Sequence, residues 1–346
     1  QDVANLLGKV NVPNTKPERR KIQPMETVTT HIKSTEKQSE KSKEKSCVKL
    51  SSFEKIPYPT VELKLTASKS LIFLKIREYS ELGVDSVFHV SVDKSCRLWV
   101  SDGSGTLVQT DLQGNQLQKI QTSGRFEGYH TATLKGGLIY TDQEMKVIYK
   151  ITPDQEITEF IKTGDWSPLS VHSSRINGDI LVGMVKDEES KITRYSKTGK
   201  KIKSIHRYKK GQEQYVKPIF ITENIHGDIG TLDDIKRVIV MNRSGKFLGQ
   251  CCYETEWPAG ICADALGHIL VCNRFNQSVQ FFDKDCEPIC GMILAPMGDL
   301  SPISVCVDVE NNLYVGHETD KVTVYKCIQD YKQNDSVQVS TVTPTQ

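Results

Sequence analysis

The chain has 346 residues, of which 37% are hydrophobic, and its formal net charge is +2. The first 50 residues hold eleven Lys and Arg against six Asp and Glu, so the remainder is mildly acidic. That balance disfavours extended electrostatic binding to nucleic acid, because such binding needs clustered cations to replace the phosphate counterions. No apolar run of about 18 residues occurs, so no membrane-spanning helix and no membrane partner are predicted.

Residues 1–50 are predicted to form a flexible polar linker. The stretch from Ser34 to Ser46 is almost wholly polar, and such a composition buries too little apolar surface to offset the entropy lost on ordering. Only Val3 to Leu7 is apolar enough for a helix, which we interpret as the frayed end of a preceding one. Because the chain begins with Gln1 and no basic-then-apolar leader follows, we expect that part of the natural protein precedes it.

Within a predicted propeller domain of residues 51–330, a strand-hairpin unit repeats six times between about Ser86 and Ile328, most clearly from Pro258 to Asp283. In each unit an apolar pair opens the second strand: Leu98-Trp99, Leu138-Ile139, Ile180-Leu181, Ile229-Gly230, Ile269-Leu270 and Leu313-Tyr314. The pairs are separated by 40, 42, 49, 40 and 44 residues. Periods of about 40 to 50 residues built from short strands are typical of propeller blades. The sequence therefore predicts an all-β fold, a six-bladed β-propeller with four-stranded antiparallel blades.

The sixth unit supplies only three strands before the apolar pattern stops near Tyr325. An incomplete last blade leaves an exposed sheet edge, which is a site for unwanted pairing. The apolar segment from Leu71 to Ile76 lies ahead of the first unit and is predicted to supply the missing strand, closing the ring. Residues 331–346 are predicted to be a polar tail.

The ten cysteines lie mostly inside apolar strand runs, as Cys262, Cys272 and Cys306 do. A thiol in that setting serves as a small buried hydrophobe. The pattern predicts a reducing compartment, the cytoplasm, and no disulfide framework. Cys286 and Cys290 lack a second cysteine or histidine pair at zinc-finger spacing, so no metal site is predicted there.

The clearest unit resembles the NHL repeat, in which a Pro-x-Gly-Ile strand leads to an Asp, a Gly turn and an Asn-His-Leu-like stretch. In this chain the strand is Pro258 to Ile261, the Asp is Asp264 and the turn glycine is Gly267. The Asn-His-Leu position departs from the repeat pattern, because it reads Asn276-Gln-Ser. With its polar linker, the chain is similar over about 280 residues to the C-terminal half of tripartite-motif (TRIM-NHL-like) proteins, especially the expanded molluscan kind.

The resemblance implies a ubiquitin ligase whose RING, B-box and coiled coil lie upstream, with the propeller selecting the protein substrate. It also implies a full-length protein that dimerises through that coiled coil. No such upstream element is recognised in this sequence, so no catalytic residue and no cofactor are predicted for it.

Strand geometry indicates which residues bind the partner. Loops that enter each blade, and loops that join its second and third strands, share one rim of the ring. The predicted partner-binding residues on these loops are Arg125, Phe126, Tyr129, Lys146, Trp166, Lys209, Lys210, Tyr215, Trp257, Arg274, Phe275 and Asn276. Aromatic and Arg side chains are enriched at interface centres. For Trp166 and Trp257 a second interpretation stays open, in which both rings pack between neighbouring blades.

The stretch from Lys191 to Lys210 contains nine Lys and Arg and no acid, with Tyr195 and Tyr208 interleaved. Cations with stacking aromatics suit single-stranded RNA, which makes an RNA-binding propeller an alternative function. The favoured interpretation is that Lys201 and Lys203 lie on an outermost strand, where lysines block edge-to-edge aggregation.

A metal-dependent propeller hydrolase or lyase is the second alternative. His89 and His130 occupy the same offset in adjacent units and could converge at the axial channel, where three histidines would make a catalytic zinc site. His172 is shifted by one residue and is expected to face away, so a metal is not predicted. Three aspartates beside hairpin turns are expected to bond turn amides instead of calcium: Asp93, Asp264 and Asp308.

Overall fold

The computed structural model describes residues 9–11, 69–122, 129–207, 217–234, 237–252, 258–293 and 301–331. These residues form six antiparallel sheets, which are the blades of a six-bladed β-propeller. The predicted fold is therefore confirmed. Within the described part of the chain, no helix has the length and apolar character needed to cross a membrane.

In blades 1 to 5 the four strands follow one another in chain order across the sheet, whereas blade 6 takes its outermost strand from the start of the described chain. Two strands precede the first blade: β1 (Lys9–Asn11) and β2 (Lys69–Tyr79). Blade 1 comprises β3 (His89–Val92), β4 (Leu98–Ser101), β5 (Thr106–Thr110) and β6 (Gln116–Gln121). Blade 2 comprises β7 (His130–Ala132), β8 (Leu138–Asp142), β9 (Val147–Ile151) and β10 (Ile157–Lys162). Blade 3 comprises β11 (Ser167–Ser173), β12 (Ile180–Lys186), β13 (Glu189–Tyr195) and β14 (Lys201–Arg207).

The second half of the ring has the same organisation. Blade 4 comprises β15 (Pro218–Glu223), β16 (Ile229–Asp233), β17 (Val238–Met241) and β18 (Phe247–Cys252). Blade 5 comprises β19 (Pro258–Ala263), β20 (Ile269–Asn273), β21 (Ser278–Phe282) and β22 (Pro288–Ile293). Blade 6 comprises β23 (Pro302–Val307), β24 (Asn312–His317), β25 (Val322–Tyr331) and, as its outermost strand, β2.

The ring is closed by the strand that precedes the first blade. β2 pairs antiparallel with β25 along its whole length, from Lys69 opposite Tyr331 to Tyr79 opposite Val322. The Phe73 ring is buried between blades 5 and 6, with its centroid 5.4 Å from that of Phe281. The predicted donor segment lies inside β2, so the sequence correctly identified the closing strand.

The core consists of apolar clusters between neighbouring blades. The second strand of each blade is buried on both faces, as β4, β8, β16 and β20 are throughout. Because side chains alternate between the two faces of a strand, one set packs against the preceding blade and the other against the following one. The outer strands are more exposed, and β6 has no fully buried residue.

The turns between the first and second strands are held by side-chain carboxylates, as predicted for Asp93, Asp264 and Asp308. The Asp93 Oδ1 atom accepts bonds from the backbone N–H groups of Ser95 (2.8 Å) and Arg97 (3.0 Å). Asp264 and Asp308 each accept the same two bonds in their own turns. These carboxylates satisfy turn amides that would otherwise lack a partner.

The three residues of β1 lie within the predicted linker and form a fifth strand on blade 5, pairing with Gly291 to Ile293 of β22. The helix expected from Val3 to Leu7 lies outside the described residues. So do the rest of residues 1–68 and the tail beyond Tyr331, the last residue of β25.

The closing strand supplies a direct test of ring stability. Phe73→Ala should lower the free energy of unfolding by about 3–5 kcal/mol, because it leaves a cavity in a packed apolar cluster. Ile76→Ala should lower the free energy of unfolding by less than about 1 kcal/mol, because this side chain of the same strand is 45% exposed. Urea unfolding of both variants measures the difference. Equal destabilisation would mean that packing of β2 against blade 5 does not hold the ring closed.

Candidate interaction surface and axial channel

Each blade contributes to one end of the ring, here called the upper face, through two kinds of connection. The first strand of every blade starts there, and the turn joining the second and third strands returns there, because successive hairpin turns alternate between the two ends. In blades 1, 2, 3, 5 and 6 these turns are residues 102–105, 143–146, 187–188, 274–277 and 318–321. The turns joining the first and second strands lie at the opposite end, the lower face.

The blade 5 turn displays an exposed aromatic ring on a well-held backbone. Phe275 is 72% exposed. The buried Asn273 Oδ1 atom accepts bonds from the backbone N–H groups of Phe275 (3.0 Å) and Asn276 (3.2 Å). The Asn276 side-chain oxygen in turn accepts a bond from the Ser278 hydroxyl. The ring is therefore presented to solvent from a turn fixed by several hydrogen bonds.

Arg274, beside this ring, joins two blades. Its guanidinium donates to the Glu318 carboxylate in the equivalent turn of blade 6. Both side chains are partly exposed, so solvent screens the pair and its contribution to stability is small. Its structural effect is to orient a planar cation and a carboxylate next to Phe275.

The equivalent turn of blade 2 carries a second exposed apolar side chain. Met145 is 58% exposed, and its backbone N–H donates to Asp142 Oδ1 at 2.9 Å. The next residue, Lys146, has a φ of +55°, and its carbonyl accepts a bond from the Thr163 hydroxyl at 2.7 Å. The Lys146 side chain is half-buried. Met145 therefore offers a larger exposed surface than Lys146 does. The residues predicted from the sequence to bind a partner did not include Met145.

Trp166 packs between blades 2 and 3. The ring is partly buried against their shared apolar cluster, and the Lys191 Nζ atom lies 3.6 Å from its centroid. His206, on the outer strand β14, is also in ring contact at 6.2 Å. Burial lowers the pKa of Lys191. Of the two interpretations left open for Trp166, these contacts favour the packing one. Trp257 lies outside the described residues.

Five other predicted binding residues also lie outside the described part of the chain: Arg125, Phe126, Lys209, Lys210 and Tyr215. Their roles stay predictions.

Tyr129 lies in an aromatic cluster at the upper end of the axial channel and is only 5% exposed. Its ring centroid is 5.6 Å from that of Phe88 in blade 1 and 5.1 Å from that of Phe220 in blade 4. Phe88 and Phe220, from opposite sides of the ring, are 6.2 Å apart. These three side chains, here called the aromatic plug, fill the axis. A side chain held there is not available at the rim, contrary to what the loop position of Tyr129 suggested.

Two histidines lie directly against the plug. The His89 and His130 rings meet edge to face at a centroid distance of 4.6 Å, and the His89 ring stacks on Phe220 at 5.7 Å. The hydroxyl of Ser91 and Nδ1 of His130 share a hydrogen bond of 2.8 Å. The predicted convergence of the two imidazoles at the channel is therefore confirmed, although in an apolar and aromatic setting.

The three channel histidines do not form a ligand set. His89 lies opposite the fourth residue of β4, His130 opposite the third residue of β8, and His172 opposite the second residue of β12. The imidazoles thus lie at three levels, and the equivalence of His89 and His130 inferred from the repeats is wrong by one residue. Among the described residues, no group of three or more His, Cys, Asp or Glu side chains is arranged to hold a metal ion.

Burial keeps these imidazoles neutral. It lowers the pKa of His89 to about 4, and burial together with the Arg175 and Arg194 cations lowers the pKa of His172 to about 3. The pKa of His130 is also well below its ordinary value because of burial and the neighbouring His89. One ring nitrogen on each of the three has no hydrogen-bond partner among the described groups. These properties suit packing, and they disfavour proton transfer near neutral pH.

The lower end of the channel is crossed by a cation. Arg175, in the first turn of blade 3, donates to the Val307 carbonyl of blade 6, on the opposite side of the ring. Near it, burial raises the pKa of the Cys306 thiol to about 12. The channel is therefore bounded by the aromatic plug above and by Arg175 below.

The basic stretch from Lys191 to Lys210 is divided between the interior and an edge. Lys191 lies over Trp166, and the buried Arg194 donates to Glu223 of blade 4 and, at 3.5 Å, to Asp179. Lys201 and Lys203 lie on the outermost strand β14, which confirms the edge-strand interpretation. At least two of the nine cations therefore serve contacts within the protein.

No family model and no curated protein sequence matches this chain. Among solved structures, it is similar to a catalytically inactive virginiamycin B lyase from Staphylococcus aureus with quinupristin, at 15% identity and a TM-score of 0.53, covering 75% of this chain and 100% of that one. A streptogramin B lyase is similar at 12% identity and a TM-score of 0.54, covering 75% and 98%. A gluconolactonase from Xanthomonas campestris is similar at 12% identity and a TM-score of 0.56, covering 75% and 90%. At these identities the shared property is the propeller fold.

The depressed pKa of His89 predicts an acid-dependent loss of stability. In the unfolded chain this imidazole takes up a proton below its ordinary pKa of 6.5, whereas the folded protein resists protonation down to about 4. The contribution of His89 to the free energy of unfolding is therefore fully present above pH 6.5 and is lost as the pH falls towards 4. Between pH 7.5 and pH 5 the wild type should lose on the order of 2 kcal/mol more unfolding free energy than His89→Gln. Urea unfolding at both pH values measures this, and equal losses would contradict it.

Proposed function

We propose that this propeller is the protein-recruiting module of a larger TRIM-like ubiquitin ligase, and that it binds its substrate through the upper face. The observation that carries the binding part of the proposal is Phe275, which is 72% exposed on a hydrogen-bonded turn. The ligase part rests on the resemblance of the blade 5 repeat to NHL repeats. In this proposal any transfer of ubiquitin is carried out by elements outside the sequence.

A fixed, exposed aromatic ring suits partner recognition for an energetic reason. Burying a Phe side chain at an interface gains about 1.5–3 kcal/mol, and little of that is lost to ordering when the turn is already rigid. The Arg274–Glu318 pair beside the ring supplies a polar border with both signs of charge. An apolar anchor surrounded by polar groups is the usual arrangement at the centre of a protein interface.

The observations favour a protein partner over RNA. A single-strand site would need a groove of unengaged cations with stacking rings. Lys191 and Arg194 are instead held inside the protein, and the Trp166 ring is covered by Lys191. The cation beside the exposed Phe275 ring, Arg274, is paired with Glu318.

A pair of variants tests the binding part. Phe275→Ala should weaken partner binding at least tenfold, because hot-spot truncations cost about 2 kcal/mol or more. Val309→Ser is the matched control, since Val309 is also 72% exposed but lies in a turn of the lower face. Quantitative pull-down with the purified chain, followed by affinity measurement for the recovered protein, gives the comparison. Equal binding by Phe275→Ala and wild type would refute the upper-face site.

The ligase part and the enzyme alternative are tested separately. The natural transcript upstream of Gln1 should encode cysteine–histidine clusters followed by heptad repeats, and a transcript without them would contradict the ligase assignment. Metal analysis of the purified chain addresses the other alternative. Stoichiometric zinc or calcium would favour a metal-dependent hydrolase or lyase over the recruiting module.

A further inference from the structure

Cys286 occupies a turn position where the backbone favours glycine. It lies between β21 and β22 with a φ of +62°. The equivalent positions in blades 1, 3 and 4 are Gly114, Gly199 and Gly245, all with positive φ. A side chain at such a φ crowds its own backbone, so glycine is the residue usually found there. The cysteine is therefore not explained by the needs of the turn.

The neighbouring blade is shaped to receive this thiol. Gly249 lies on β18, the outer strand of blade 4, and a Cβ atom placed on it would come within 2.8 Å of the Cys286 Sγ atom. The absence of a side chain at Gly249 lets Cys286 pack directly on that strand. Cys251, two residues further along β18, belongs to the same apolar cluster as Cys286.

The two thiols contact each other across the boundary between blades 4 and 5. Cys251 and Cys286 are hydrogen-bonded through their side chains, and both pack in the apolar cluster shared by the two blades. Both are reduced. Cys251 is buried, whereas Cys286 is only partly so. An oxidant arriving from solvent therefore meets Cys286 first.

The pKa of Cys286 also favours its reaction with an oxidant. The hydrogen bond with Cys251 lowers the pKa of Cys286, outweighing burial and the Asp283, Asp285 and Asp228 carboxylates, which raise it. A lower pKa increases the thiolate fraction, and the thiolate is the nucleophile.

We propose that Cys286 and Cys251 form a peroxide-driven disulfide that links blade 5 to blade 4. The Cys286 thiol first loses its proton. The thiolate then attacks hydrogen peroxide, so that an S–O bond forms, the O–O bond breaks, and the departing hydroxide combines with the released proton to give water. The Cys251 sulfur then attacks the Cys286 sulfenic acid. The S–S bond forms, the S–O bond breaks, and the second hydroxide leaves as water with the Cys251 proton. Two thiols and one peroxide thus give one disulfide and two waters.

Other cysteines in the same protein provide an internal comparison. Cys290 and Cys327 are also neighbours, in the core between blades 5 and 6, and burial raises the pKa of Cys327 to about 11. Cys96 is partly buried, as Cys286 is, but burial and nearby carboxylates raise its pKa. Both sets should react more slowly than Cys286.

The test uses the full chain, reduced and then treated with hydrogen peroxide at pH 7. Peptide mapping without reduction should find Cys286 linked to Cys251 as the main product, reversible by dithiothreitol. Two variants should abolish it: Cys286→Gly, which suits the positive φ, and Cys251→Ser, in which dimedone should trap sulfenic acid on Cys286. The controls Cys252→Ser, at the adjacent residue, and Cys96→Ser should form the link as the wild type does.

Two results would overturn the proposal. One is Cys286 oxidation no faster than that of Cys96 in the same sample. The other is the wrong disulfide pattern: Cys286 still forms a disulfide in the Cys251→Ser variant, or other cysteine pairs are linked in the wild type at the same yield as Cys286 and Cys251.

Discussion

The pairing of β2 with β25 is the interaction on which the rest of the structure depends. A propeller built from sequential hairpins has two free ends, and in this ring the pairing of β2 with β25 joins them. Here the N-terminal strand covers the edge of blade 6 and inserts Phe73 against Phe281 of blade 5. Closure also brings together the contacts between blades 6 and 1. The polar contact between Ser304 and the Val87 carbonyl is one of them.

The closed ring separates two kinds of chemical environment. Along the axis, polar groups are desolvated, so imidazoles are neutral and thiols stay protonated. On the upper face, turns fixed by their own side-chain hydrogen bonds present Phe275 and Met145 to water. A surface of this kind suits recognition, because its exposed apolar side chains are held on rigid turns from more than one blade. The channel has the composition of a core.

Much of the architecture could be predicted from the sequence, because each repeat has to bury two faces and so preserves its apolar pattern. The apolar pairs predicted to open the second strands begin those strands in five blades and lie one residue inside β24 in the sixth. The closing strand was predicted by the same reasoning, since an unpaired edge needs a donor and one apolar segment was available. Turn carboxylates such as Asp93 were predicted from hairpin chemistry alone.

The site was less predictable, because orientation depends on register and on contacts between blades. Tyr129 was assigned to a loop, yet a residue that immediately precedes an inner strand can point to the axis. His89 and His130 differ by one level. The sequence already contained this difference, since His89 lies nine residues before Leu98 and His130 eight residues before Leu138. The approach of Cys286 to Cys251 depends on a turn of one blade reaching the outer strand of the next. The one available signal was a cysteine at a turn position that blades 1, 3 and 4 fill with glycine.

The aromatic plug has a consequence for how the molecule comes apart. In linear repeat arrays each unit touches only its neighbours, so units can be lost one after another. Phe88, Tyr129 and Phe220 join blades 1, 2 and 4, so they bridge units that are not adjacent along the circle. A bridge across the diameter penalises partial opening wherever it starts. We therefore expect the whole ring to melt in a single cooperative step, with no populated species lacking one or two blades.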